Sequence, residues 1–100
     1  MIKYLENEEE LEQEIKEGKV LLDFYADWCG PCKMLSTVLE DLTEVNKNIK
    51  IIKINIDKLD NIAKQYGIMS IPTLILYNEG KQINKKIGFI SPEELENFVK

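Results

Sequence analysis

The nearly uninterrupted apolar run Val20-Leu21-Leu22-Asp23-Phe24-Tyr25 restricts the fold more than any other feature of the chain, and Ile49 to Ile56, rich in isoleucine, reads as another buried strand. A strand with one wet face alternates apolar and polar residues, whereas a strand that is apolar throughout is covered on both faces. Helical spacing surrounds these runs. Ile2 to Leu5 reads as a short strand, followed by a helix capped by Asn7, with Glu10 three residues on, and stopped at Gly18. Its acids, Glu8 to Glu14, read as a solvated helix face in preference to a partner-binding tail, because Leu11 and Ile15 stand at i and i+4. Leu35, Val38, Leu39, Leu42 and Val45 draw one helical stripe that begins inside a cysteine motif, and they are assigned to the core. Leu59 to Tyr66 predicts a short helix closed by Gly67.

Beyond Gly67 the pattern changes. Thr73 to Tyr77 is strand-like, Asn78-Glu79-Gly80 is turn chemistry, and Gln82 to Ile87 returns as the second arm of a hairpin. Ser91-Pro92-Glu93-Glu94 opens a last helix with an N-cap, a proline at the first position and a capping-box acid. The sum is βαβαβ followed by ββα, an α/β fold with a central mixed five-stranded sheet flanked by four helices. No linker or repeat interrupts it, so residues 1–100 are expected to form a single domain.

The chain has two cysteines, Cys29 and Cys32, and no histidine. Cys-x-x-Cys serves as half a zinc site, as a structural disulfide, or as a dithiol that cycles between redox states. Zinc wants four ligands, and two sulfurs without imidazole fall short, so no metal is expected. A staple across so short a loop stabilises by only about 2 kcal/mol. A chain of this length buries about 60 to 70% of its unfolded surface without one. The redox dithiol is favoured. Net charge is −5, with lysine supplying all 13 basic residues, which argues against nucleic acid as a partner. The start turns acidic before any apolar stretch long enough for a signal peptide, and no later run could span a bilayer. A cytoplasmic location is expected, where disulfides are mostly transient and catalytic.

Trp28-Cys29-Gly30-Pro31-Cys32-Lys33 lies six residues after Asp23 by its first cysteine, and Ser70-Ile71-Pro72-Thr73 follows some forty residues later. With Tyr66-Gly67-Ile68, Gly80 and Gly88, these segments make the chain resemble the thioredoxin family nearly end to end. It departs from that pattern at Tyr25, where many members carry Trp, and at Ser36-Thr37, where members often have a kinking proline that bends the active-site helix.

Cys29 falls where the N-cap of the long helix should be, so free N–H groups and the helix dipole favour its thiolate. The resemblance implies Cys29 as nucleophile and Cys32 as resolving thiol, with Gly30-Pro31 as the spacer found in reductants. Asp23 is costly in an apolar strand unless it is paired, protonated or useful. The resemblance implies that it accepts and returns a proton for Cys32, directly or through water; the alternative is a buried ion pair with Lys53, which would also tune its pKa. By the same resemblance Pro72 should be cis, with Ile71 pairing with substrate backbone. Trp28 is expected on the contact surface and less so in the core, and Gly88 at a close substrate approach or a bulge. Lys33 either favours the Cys29 thiolate or is merely solvated. The implied function is a monomeric protein-disulfide reductase with no bound cofactor, re-reduced by a thioredoxin reductase. A disulfide oxidase or isomerase, and a non-catalytic binding module, are the alternatives.

Overall fold

In a computed structural model describing residues 1–100, nine elements follow in the order β1 (Ile2–Tyr4), α1 (Glu10–Glu14), β2 (Lys19–Tyr25), α2 (Gly30–Val45), β3 (Ile49–Asn55), α3 (Asp60–Gln65), β4 (Thr73–Asn78), β5 (Lys81–Ile87) and α4 (Pro92–Phe98). The sheet order is β1-β3-β2-β4-β5. β1 and β2 run parallel to β3, while β4 is antiparallel to β2 and β5 to β4. The expected mixed sheet is therefore present.

The apolar runs are explained by two cores, one on each face of the sheet. Leu21, Ile51, Leu74 and Leu76 pack with Leu35, Leu39 and Leu42 of α2 and Leu95 of α4. Val20, Leu22, Phe24, Ile52, Ile54 and Ile75 pack with Leu11 of α1 and Ile62 of α3. Successive residues of β2 thus feed opposite cores, and every position of Val20 to Phe24 is buried. Asp23, on the α2 and α4 face, is the one charge in that run.

Local chemistry sets the ends. The β4–β5 turn places Glu79 at φ 51° and Gly80 at φ 83° between the paired Asn78 and Lys81, the geometry a two-residue hairpin loop demands. Ser91 caps α4, its hydroxyl accepting from the Glu94 N–H while the Glu94 carboxylate accepts from the Ser91 N–H.

Two expectations fail. Asn7 does not cap α1, which begins after Glu9 with no side-chain cap and ends at Glu14, before Gly18. Leu11 is its only buried residue, so the segment has too narrow an apolar face to support a longer helix. The helix is instead tied down through Glu14, which pairs with Lys3 of β1 and Lys50 of β3. Val45 is 75% exposed and no part of the core. At about 100° per residue it stands some 80° around the helix from Leu35, whereas Leu42 is only about 20° away. α2 itself runs without interruption through Ser36 and Thr37.

Candidate active site

The site forms where the central strand β2 hands over to α2. Cys29 is the N-cap of α2, with extended backbone angles, and its Sγ accepts from the Cys32 N–H at 3.2 Å. Pro31 occupies the first turn, where its missing N–H removes no helical bond. A disulfide joins Cys29 to Cys32, whose Cα atoms are 5.2 Å apart. Both sulfurs are nearly covered, packed with Ala26 and against Tyr25, Ile56 and Ile71. The N–H groups of the first turn converge on Cys29, and Cys32 follows one turn further along the helix.

Sheet register builds the electrostatic floor. Tyr4 of β1, Lys53 of β3 and Asp23 of β2 are direct cross-strand neighbours, which puts the three side chains in one row on the α2 face. The Lys53 ammonium lies 3.4 Å from Asp23 Oδ2. Neither carboxylate oxygen accepts an aligned hydrogen bond, and the residue is fully buried. Burial pushes the Asp23 carboxyl up from 3.8 to about 6, with the Lys53 charge opposing the rise. Ion pair and raised pKa coexist because burial outweighs both the Lys53 charge and its 3.4 Å contact with the carboxylate. Lys53 also sits 4.9 Å from the Tyr25 ring centre and 5.7 Å from that of Tyr4, and donates to Ser36 Oγ at 2.6 Å. Burial lifts the Tyr25 phenol above its ordinary value, which keeps that ring neutral beside the cation.

The outer wall is apolar. Trp28 is 70% exposed, and its indole N–H donates to Asp57 Oδ2 at 2.9 Å. With Ile56, Ile68, Met69 and Ile71 it lines an open groove beside the disulfide. The Ile71–Pro72 peptide is cis, and the Ile71 carbonyl oxygen is 4.0 Å from Cys29 Sγ. Gly88, at φ 94°, donates its N–H to the Pro72 carbonyl at 2.8 Å, which brings the end of β5 to the same rim. Lys33 is exposed on the first turn of α2 and borders a separate cavity near Cys32.

Trp28, Cys29, Gly30, Pro31, Cys32, Ile71, Pro72 and Gly88 therefore converge, with Asp23 and Lys53 beneath them. Sequence reading missed Asp57, Ser36 and Tyr4. Ser36 was findable, since it stands four residues after Cys32 and so on the same helix face. Tyr4 and Asp57 carry no such signal, because strand register and loop path place them.

Comparison with known proteins gives one consistent result. The family model described as Thioredoxin matches residues 2–100. The chain is 40% identical over 100 residues to thioredoxin of Mycoplasmoides gallisepticum, covering 99% of this chain and 100% of that one. It is 46% identical over 87 residues to thioredoxin of Bacillus subtilis, covering 86% and 84%. Among solved structures, the oxidised mitochondrial thioredoxin 3 of Saccharomyces cerevisiae superposes with TM-score 0.89 at 36% identity, covering 98% of this chain and 92% of that one. A thioredoxin variant from Halobacterium salinarum gives TM-score 0.89 at 35% identity, covering 98% and 87%.

Proposed function

The chain belongs to the thioredoxin family and is a thiol-disulfide oxidoreductase that reduces protein disulfides through its cysteine pair, and on that premise we propose how its residues divide the work. Cys29 is the nucleophile. Its thiolate attacks one sulfur of a substrate disulfide, a mixed disulfide forms, and one substrate thiolate leaves. Cys32, having lost its proton, then attacks Cys29 Sγ and releases the second substrate thiolate. The substrate gains two electrons and the Cys29–Cys32 disulfide closes. Asp23 takes the Cys32 proton, directly or through water.

The supporting observation is the carboxyl titrating at about 6, fully buried in the strand that leads to the disulfide. A carboxyl in the ordinary range would be a weak base at neutral pH; one near 6 is matched to proton transfer there. Gly30-Pro31 between the cysteines, in a chain without histidine, favours the reductant over the oxidant. The groove of Trp28, Ile71, Pro72 and Gly88 receives an extended substrate segment, with Ile71 offering backbone pairing. Lys33 stands nearby as an exposed positive charge. The single domain works as a cytoplasmic monomer, with a thioredoxin reductase as its electron donor and no nucleic acid or membrane partner. No helix of the chain is long and apolar enough to cross a membrane.

The test has four parts. Titration of the Cys29–Cys32 couple against a dithiol buffer should give a strongly reducing value near the family figure of about −270 mV, and a value near the −120 mV of oxidants would overturn the reductant reading. Cys32→Ser should accumulate the mixed disulfide through Cys29. Asp23→Asn should slow the resolving step and flatten its pH dependence near neutrality, and an unchanged profile removes Asp23 from the proton path. Full activity in a Cys29→Ser, Cys32→Ser double variant would point to a binding module instead.

A further inference from the structure

The hydroxyl of Ser36 is one of two polar groups competing for the Lys53 ammonium. It holds the cation at 2.6 Å, whereas Asp23 Oδ2 is left at 3.4 Å. An ammonium free to choose would close on the carboxylate to the 2.7–2.9 Å typical of charge-assisted pairs, because that partner carries a full charge. Yet neither Asp23 oxygen takes an aligned hydrogen bond from another group of the chain, although the residue is fully buried and the Lys53 ammonium is within reach at 3.4 Å. The cause is geometric. Ser36 projects from α2, above the sheet, while the Tyr4 and Tyr25 rings stand against the same cation. Lys53 is drawn upward toward the helix and away from the strand neighbour it is registered with.

An open cavity of about 170 Å³ adjoins this row. Tyr4, Tyr25, Lys53, Ser36 and Cys32 line it, so the hydroxyl and the ammonium it holds face the space next to the resolving sulfur. That volume and polarity suit water.

We propose that Ser36 is a positioning residue whose hydroxyl holds the Lys53 ammonium back from full hydrogen bonding to Asp23, keeping that carboxyl available as a base. This deepens the proton-transfer role proposed for Asp23 and rests on it for its functional meaning. The charged and titratable groups around the carboxyl are Lys53 on β3, Tyr25 on β2 and Tyr4 on β1, with Cys32 of α2 on the adjoining cavity. Asp27 and Lys33 lie at the cavity rim. Of these, only Lys53 has its distance to Asp23 set by Ser36.

The test is a carboxyl ¹³C NMR titration of Asp23 in oxidised protein, where the cysteines do not titrate. Wild type, Ser36→Ala and Ser36→Thr are compared. Serine to alanine in a helix interior favours folding, and Thr keeps the hydroxyl. Closure of the ammonium from 3.4 Å to about 2.8 Å, in the effective dielectric of a protein site, should lower the Ser36→Ala midpoint by roughly half a unit to one unit. Ser36→Thr should restore the wild-type midpoint. Coincident wild-type and Ser36→Ala titrations overturn the proposal, and so does an upward shift, which would mean that Ser36 presses Lys53 toward the carboxylate. The resolving rate against pH, measured on the same proteins, separates the two ideas. A midpoint that moves without the rate profile following confirms the positioning by Ser36 and removes Asp23 from the proton path.

Discussion

Replacing Asp23 by Asn should make the protein more stable at neutral pH and nearly indifferent to pH between 4 and 7.5 as far as this site is concerned. The folded carboxyl titrates at about 6 against 3.8 when solvated, because burial disfavours its charge more than Lys53 favours it. An acid with its pKa raised on folding holds its proton longer in the native state, so stability declines as pH rises from 3.8 through 6. A shift of about two units at 1.36 kcal/mol per unit is about 3 kcal/mol at pH 7.5, and almost nothing at pH 3. Other carboxylates run the opposite way. Glu14 is held low by Lys3 and then Lys50, and Glu94 by the Ser91 N–H, so both stabilise above the carboxylate range and lose that contribution in acid. Subtracting wild type from the variant cancels them. Denaturant unfolding of the oxidised proteins at intervals from pH 3.5 to 8 should show the difference in unfolding free energy growing by about 2 to 3 kcal/mol across the window, with its midpoint between 4 and 6. A difference independent of pH, or one that shrinks toward neutrality, would refute the claim that this carboxylate is buried at a cost.

Three further outcomes are expected. Asp57→Ala should free the Trp28 indole, seen as lower fluorescence anisotropy, and raise KM for a protein substrate severalfold with little change in kcat, since the contact orients a binding wall and not a sulfur. Ser91→Ala removes the hydroxyl half of the capping box and should cost about 1 kcal/mol by denaturant unfolding; no loss would show that Pro92 alone starts α4. Val45→Lys should change stability by no more than about 0.5 kcal/mol, as an exposed position outside the core does. A loss of 2 kcal/mol or more would restore Val45 to the core.

What was legible in the sequence divides along the range of the interactions. Apolar runs specify burial on both faces, and β2 and β3 were recognisable from them. N-cap preference and capping boxes act within four residues, so Cys29 and Ser91 could be placed at helix starts. Asn7 misled because a capping signature gains its energy only if a helix with a real apolar face follows, and Leu11 is too little. Val45 misled because spacings of three accumulate a rotation that a list of positions hides. Asp23 and Lys53 stood out as polar interruptions of apolar strands, and their pairing follows once register is known. Tyr4 was invisible as a member of the same row, since only the β1–β3 register brings residues 4 and 53 together. Ser36 was noticed for the proline it replaces and not for its hydroxyl, whose partner lies 17 positions away.

The strand that carries Tyr4 is three residues long and hydrogen-bonded to β3 alone. Short edge segments of this kind open first in native-state fluctuations, at free energies far below global unfolding. Each opening lifts one aromatic wall from Lys53 and floods the row behind it, while the disulfide, seated on a sixteen-residue helix, stays in place. The surroundings of the Asp23 carboxyl are thereby tied to the opening of a sheet edge on the far side of β3. Amide hydrogen exchange in residues 2–4 would report that rhythm.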